Sequence, residues 1–317
     1  MKIKKLLSLL LSAALLMTPL AACGSGAPSA SGSGTESGVG SSAAPDLSQD
    51  TEEVDTGDAS LDDPRNQDQI GEKELLVVSF GTSYAQTREK TIGAIEEDFR
   101  SAFPEYTIRR AFTSKMIIKK LRERDGIEVD TVAQALEKLE AEGYSTVICQ
   151  PTHVMGGFEF DDVKREVENW KGRFDHIACG WPLLTSSEDY EQVTEALVQE
   201  FSDIPSDAAL VLMGHGTEHP ANATYPALDY RLKARGCKNF FVGTVEGYPD
   251  LQTVMQEVAA IHASKVFLAP LMVVAGDHAN NDMAGDEEDS WKTVLTGEGY
   301  EVECLMQGLG QIEAIRQ

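Results

Sequence analysis

Two imidazoles and one carboxylate stand where three apolar runs of this 317-residue chain end. Ala209-Leu210-Val211-Leu212-Met213 leads into Gly214-His215-Gly216-Thr217, and Phe240 through Val245 leads into Glu246-Gly247-Tyr248-Pro249. Val266 through Val274 leads into Ala275-Gly276-Asp277-His278. Imidazole and carboxylate together suit a first-row divalent ion without fixing which, and an imidazole can also take a proton from a reacting group near neutrality. If the runs are parallel strands, their carboxyl ends open on one crevice, and the three groups can converge there on one ion. Each residue alone has an ordinary alternative. His215 could serve the core or a cap, His278 could follow a helix cap at Asp277, and Glu246 could be a solvated loop acid. Their conjunction favours a metal site.

Other candidates rank lower. His219 has the i, i+4 spacing of a helical metal pair with His215, but Pro220 argues against one helix there, which leaves His219 behind the ligands. The acidic stretch from Asp277 to Asp289 fails the calcium-loop pattern, because Asp282 occupies the position that requires glycine. His176 and His262 lie on element edges. His153 opens a loop after an apolar run ending at Cys149, with Glu159 following, and both would border the same crevice in a substrate-holding role.

The elements that must carry these groups alternate. Strand patterns fall at 75–80, 107–112, 146–149, 177–179, 209–213, 240–245, 265–269 and 300–305. Helical patterns fall at 88–103, 114–124, 131–142, 160–170, 188–201, 225–235, 250–262 and 285–296. Such alternation predicts an α/β fold with parallel sheets and helices on both faces. A repeat is also visible: Leu76 through Thr82 parallels Val211 through Thr217, and Pro151 through Gly157 parallels Pro270 through Gly276. The first copy carries extra residues between these points, assigned to the 114–124 helix. Two lobes follow, 73–205 and 206–317, with Pro205 at the boundary.

The amino terminus reads differently. Lys2, Lys4 and Lys5 precede an apolar run at 6–16 that is too short to span a bilayer. Leu20-Ala21-Ala22-Cys23-Gly24 resembles a bacterial lipobox, which makes 1–22 a signal peptide, Cys23 a lipidation site and the location extracytoplasmic, with the membrane reached through the lipid anchor only. Residues 23–72 follow as a tether rich in Gly, Ser and acids. Such a composition cannot offset its chain entropy, and it reaches roughly 40 Å. Formal net charge is −25 over the whole chain and about −18 over 73–317, once the signal lysines and the acidic tether are set aside. This excludes nucleic acid as a partner, since phosphate binding needs a basic face. Cys149, Cys179, Cys237 and Cys304 lack CxxC spacing and read as free thiols.

Taken in order, five stretches resemble the anaerobic sirohydrochlorin cobaltochelatases of the CbiK type, over about 73–315. They are Ser79-Phe80-Gly81-Thr82-Ser83, Ala111-Phe112-Thr113-Ser114, Met213-Gly214-His215-Gly216, Val245-Glu246-Gly247-Tyr248-Pro249, and Pro270 through Ala284. The resemblance implies the class II chelatase fold, two similar Rossmann-like lobes with a tetrapyrrole cleft between them. It places the family's metal-binding histidines and glutamate on His215, His278 and Glu246. The implied activity is a lyase's insertion of Co2+ into sirohydrochlorin with loss of two protons, in anaerobic cobalamin biosynthesis. His215 would be principal base and ligand, His278 a ligand, and Glu246 a ligand and proton acceptor. Fe2+ and Ni2+ stand as alternative metals, no organic cofactor is required, and haem binding and homo-oligomers stay open. The alternative functions are a tethered tetrapyrrole, haem or metal carrier without catalysis, or a ferrochelatase or nickel chelatase of the same fold. The anchor motivates the carrier, as does the stretch from Gly310 to Gln317, which is shorter than the family's terminal helix.

A polycarboxylate substrate would need local donors against the negative charge. Backbone N–H groups of Ser79, Gly81, Thr82 and Ser83 at a helix start are one expected source. Arg109 and Arg110 are the other, as a bidentate clamp, although strand alternation would turn at most one of them toward the substrate.

Overall fold

The computed structural model describes residues 57–63, 65–66 and 71–317; the expected signal, Cys23 and the first part of the tether lie outside the described residues. Alternation of strand and helix yields two parallel sheets. In chain order the first half contains β1 (Lys73–Ser79), α1 (Ala85–Arg88), α2 (Ala94–Ala102), β2 (Thr107–Phe112), α3 (Lys115–Lys120) and β3 (Asp130–Thr131). It continues with α4 (Val132–Glu142), β4 (Thr146–Pro151), α5 (Phe158–Asn169), β5 (His176–Cys179) and α6 (Ser187–Glu200). The second half contains β6 (Ala209–Gly214), α7 (Thr224–Ala234), β7 (Phe240–Thr244), α8 (Leu251–Ala260) and β8 (Lys265–Pro270). It closes with α9 (Trp291–Gly297), β9 (Glu301–Cys304) and α10 (Glu313–Arg316).

The first sheet runs β3-β2-β1-β4-β5 and the second β7-β6-β8-β9. Without β3 the two orders are the same, which is the architecture of the sequence repeat. The insertion in the first copy comprises α3 together with β3. The central strands β1 and β6 carry continuous apolar stretches, Leu75–Val78 and Ala209–Met213, because helices cover both faces; Leu76, Val77, Val78, Leu210, Val211 and Leu212 are all buried. All four later cysteines are free thiols, and Cys149 and Cys179 sit side by side in register.

The lobes are not divided at Pro205. Helix α6 turns Val193 and Leu197 onto a core shared with Leu210, Leu212, Leu228 and Leu271, so it covers the second sheet. Residues 308–316 return to the first lobe, where Arg316 Nε donates to Asp98 at 2.6 Å. The helix expected at 285–296 starts only at Trp291, because Ser290 caps it by accepting from Thr293 N at 3.2 Å. A π-helical turn at Ala279–Met283 precedes it.

Two expectations need correction. Arg109 and Arg110 do not clamp a substrate: both side chains are 1% exposed, one on each face of β2. Arg109 Nε lies 3.3 Å from Glu74 Oε1 and Nη2 lies 2.6 Å from Glu142 Oε2. Arg110 meets Glu96 through two 2.7 Å bonds. The tether, expected to run unstructured to residue 72, docks from Gly57. Asp62 accepts from Arg88 Nε at 2.5 Å and from Arg110 Nη1 at 3.1 Å, Arg65 O accepts from Arg110 N at 2.9 Å, and Asn66 Nδ2 donates to Glu128 O. Buried guanidinium groups require partners, and this acidic segment supplies one.

Removing one partner of such a pair strands a buried charge, at a cost of about 3–5 kcal/mol. Arg110→Ala is therefore expected to lower the urea midpoint sharply while leaving KM for any tetrapyrrole unchanged in the fraction that folds. An unaltered midpoint with a raised KM would restore the clamp.

Candidate metal site

Strands β6, β7 and β8 lie side by side, and the loops at their carboxyl ends carry His215, Glu246 and His278. One ligand atom from each lies within 4.8 Å of the others. The two imidazole rings meet edge to face with centroids 4.5 Å apart. Donors about 2.1 Å from one ion stand roughly 3–4 Å apart. The site is therefore slightly open, and Glu246, whose side chain is half-exposed, is free to close it.

Hydrogen bonds on the Nδ1 atoms orient both imidazoles, and His215 Nδ1 is also the ring nitrogen nearest Glu246, 3.9 Å from its Oε2. His215 Nδ1 lies 2.8 Å from Gly216 O, and His278 Nδ1 lies 2.8 Å from Asp282 Oδ2. A carbonyl and a carboxylate can only accept, so each Nδ1 carries the proton and each Nε2 presents its lone pair. A carboxylate behind a metal-binding histidine is a recurrent device for fixing the ring and raising its basicity. Burial alone would lower the His278 imidazole. The Asp282 bond and charge, with Glu246 and Asp277 behind them, outweigh burial and hold it above the usual histidine value.

The backbone explains why the ligands meet. Gly216 has φ 83°, and a Cβ there would lie 2.5 Å from Gly247 N and 2.9 Å from Thr244 Cβ. This contact brings Glu246 N to donate to His215 O at 2.8 Å and Val245 N to Gly214 O at 3.0 Å. Gly214 in turn lies against Tyr225, whose hydroxyl accepts from Gly216 N at 3.3 Å. Asn222 joins the turns, accepting from Thr217 N at 3.1 Å and donating to Tyr248 O at 2.7 Å.

The first lobe braces this site from outside. Burial first, and then the Asp277 carboxylate, hold the Tyr84 phenol above its ordinary range. Thr82 Oγ1 lies 3.6 Å from where a Cβ on Gly276 would stand. The loop expected to offer N–H groups to an anion is consequently buried. Ser79, Gly81, Thr82 and Ser83 are all out of solvent, and Ser79 Oγ is engaged with Thr152 Oγ1 at 2.8 Å. Only Phe80 of that stretch is exposed.

The remaining candidates fall outside the three-residue cluster. Both ring nitrogens of His153 are buried without a hydrogen-bond partner, and burial lowers its pKa to about 4. Glu159 is exposed in the first turn of α5. His219 accepts from Ala221 N through Nδ1 at 3.1 Å and lies 3.4 Å from Asp161 through Nε2, spanning the lobes behind the site. Sequence reasoning passed over Asp282 and Tyr84. The i, i+4 spacing of His278 and Asp282 was available as a signal; nothing local marked Tyr84.

Comparisons with known proteins agree on one family. A model of the cobalt chelatase (CbiK) family matches residues 73–317. The Salmonella typhimurium protein named sirohydrochlorin cobaltochelatase is 45% identical over 244 residues, covering 77% of this chain and 92% of that protein. The Nitratidesulfovibrio vulgaris protein named sirohydrochlorin cobaltochelatase CbiKC is 34% identical over 244 residues, covering 76% and 86%. Among solved structures, SirB from Bacillus subtilis with Fe3+ superposes with a TM-score of 0.52 at 14% identity, covering 77% of this chain and 93% of that one.

Asp282→Asn keeps the shape but removes the charge behind His278. Losing such a partner typically costs 10–100-fold in metal affinity, so Co2+ titration calorimetry at pH 8 is expected to read a weakening in that range. Because Asp282 holds the imidazole pKa up, the variant's acid limb of metal binding moves to lower pH. An acid limb that stays in place would show that Asp282 does not act on His278.

Proposed function

The chain belongs to the cobalt chelatase (CbiK) family, and from that premise we propose that it inserts Co2+ into a sirohydrochlorin-type tetrapyrrole. The observation that carries the reading is the convergence of His215, Glu246 and His278 with both Nδ1 protons tied back. Insertion exchanges protein donors for ring nitrogens and releases two pyrrole protons. Two Nε2 lone pairs and one carboxylate hold the incoming Co2+. As the ion passes to the macrocycle, the vacated His215 Nε2 takes one proton and the Glu246 carboxylate takes the other, the latter beside solvent that can carry it away. Asp282 compensates positive charge on His278. Exposed Phe80 and Phe158 offer apolar surface to a flat ring. The names of the two relatives support the substrate and the metal; the donor set itself also accepts Fe2+ and Ni2+.

The test follows macrocycle absorbance after mixing protein, metal-free sirohydrochlorin and Co2+, with Fe2+ and Ni2+ in parallel. The parent is expected to accelerate Co2+ insertion, and His215→Ala and His278→Ala to lower kcat at least 100-fold, the scale of losing a general base. Insertion by both variants at the parental rate would sink the site assignment. Tight binding without acceleration would make the protein a carrier.

We propose further that the protein acts outside the cytoplasm, held by acyl chains on Cys23. Its motivation is the charged, apolar and small-residue order of positions 2–24. Labelled palmitate is expected to enter the full-length chain in cells and to be absent from Cys23→Ala; equal labelling of both would remove the anchor.

A further inference from the structure

His219 belongs to the second lobe, yet its ring rests on the first. Its backbone is fixed in the turn after β6, where His219 N donates to Thr217 Oγ1 at 3.1 Å. Ala221 N donates to His219 Nδ1 at 3.1 Å, so the ring proton sits on Nε2, which lies 3.4 Å from Asp161 Oδ2. Three residues earlier on α5, Phe158 meets the same imidazole edge to face, with ring centroids 4.8 Å apart and planes at 77°. Residues three apart share one face of a helix, so the first turn of α5 holds the imidazole with a ring and a carboxylate together. The His219 side chain is only 20% exposed, whereas most of Phe158 remains in solvent. Phe158 opens α5 beyond the carboxyl end of β4, and His219 follows His215 beyond the carboxyl end of β6. Their contact therefore joins the crevice ends of the two sheets, beside the metal loops.

We propose that Phe158 is the surface on which the macrocycle stacks, and that His219, held by Asp161, is the positioning residue that sets the angle of the Phe158 ring. This rests on the reading of the chain as a chelatase that takes a tetrapyrrole. A flat aromatic ring gains most from a partner when its own tilt is fixed beforehand, because stacking depends on the angle between planes. An imidazole tied at Nδ1 and facing a carboxylate at Nε2 cannot turn freely, and Phe158 inherits that restraint. The simpler role for the contact is a brace between lobes, which would stabilise the fold and leave the macrocycle unaffected. The two roles differ in what they predict.

The experiment titrates metal-free sirohydrochlorin into the full chain and follows macrocycle absorbance, so that binding is read without turnover. Phe158→Ala is expected to weaken binding about tenfold, the upper range for one aromatic pair. His219→Ala keeps Phe158 but frees its ring, and should weaken binding about threefold, the lower part of that range. His219→Tyr restores a ring against Phe158 and should recover most of the loss. Because His219 acts through Phe158, the double variant Phe158→Ala/His219→Ala should bind no more weakly than Phe158→Ala alone. Should Phe158→Ala fail to fold, Phe158→Leu keeps an apolar side chain without the flat ring and should show the same loss. A lowered Tm with parental macrocycle affinity in the single variants leaves only the brace and overturns the proposal, as do losses that multiply in the double variant. Co2+ titration calorimetry on His219→Ala is run beside them: weakened Co2+ binding there would put the imidazole in the metal site and overturn its positioning role. A parent that takes up no macrocycle defeats the chelatase reading and this proposal with it, whereas a parent that binds no better than its variants defeats this proposal alone.

Discussion

The convergence of His215 and Glu246 depends on one backbone contact, the approach of the turn after β6 to the turn after β7. Gly216 leaves no room for a side chain between itself, Gly247 N and Thr244. Because the turns touch, Glu246 N bonds His215 O, and the two side chains leave their strands from a fixed separation. The residue type follows from the geometry: φ 83° suits glycine, and a Cβ at 2.5 Å from a backbone nitrogen would force the turns apart. His278 approaches from β8, and its ring is turned by Asp282 within its own loop. The ligands are thus set by short-range backbone and hydrogen-bond constraints, while the third side of the site is left to the other lobe.

That other lobe spends much of its interior on charge. Glu74, Glu96, Arg88, Arg109 and Arg110 are all essentially out of solvent around β1 and β2. Burial pushes the Glu74 carboxyl up to about 8 even with Arg109 beside it. Buried ion pairs are poor sources of net stability, since desolvation consumes most of the attraction. They do impose position, because a guanidinium with a fixed fork of donors tolerates little displacement. Arg110 locks α2 to β2 through Glu96, and Arg88 locks α1 to the turn at Thr82. The charge is placed where it holds the rigid side of the interface between lobes.

Much of this was legible in the sequence, and the parts that were not share a cause. The convergence of His215, Glu246 and His278 could be read because an apolar run that stops at Gly-His-Gly or Asp-His announces a strand end, and strand ends in parallel sheets share a crevice. The doubled architecture could be read because both copies kept the same strand-and-glycine phrases. Arg109 and Arg110 were expected to form a clamp because a polycarboxylate substrate would need local donors against the chain's negative charge. Their carboxylate partners lie in β1, α2, α4 and the segment at Asp62, at separations that carry no periodic signal. Asp62 itself lies in a stretch whose composition is that of a tether. Helix α6 showed an amphipathic face, which establishes that a face is buried but not which sheet covers it. Asp282 had the right spacing behind His278, but the acidic run around it directed attention to calcium.

The repeat also shows what the two copies do not share. At the place of His215 the first lobe has Phe80, and at the places of Asp277 and His278 it has Phe158 and Glu159. Phe80 and Phe158 are 46% and 59% exposed. A second set of imidazoles opposite the first would complete a closed cage around the ion, and closed four-donor cages are the form of structural sites. For a protein whose ion must leave for a macrocycle, such a cage would be a sink. On the proposed ligand assignment, three donors, one of them a half-exposed carboxylate, would hold the ion weakly enough to surrender it. The divergence of the lobes therefore follows from the transfer: one supplies donors that can let go, and the other supplies a dry, rigid wall that keeps them aimed.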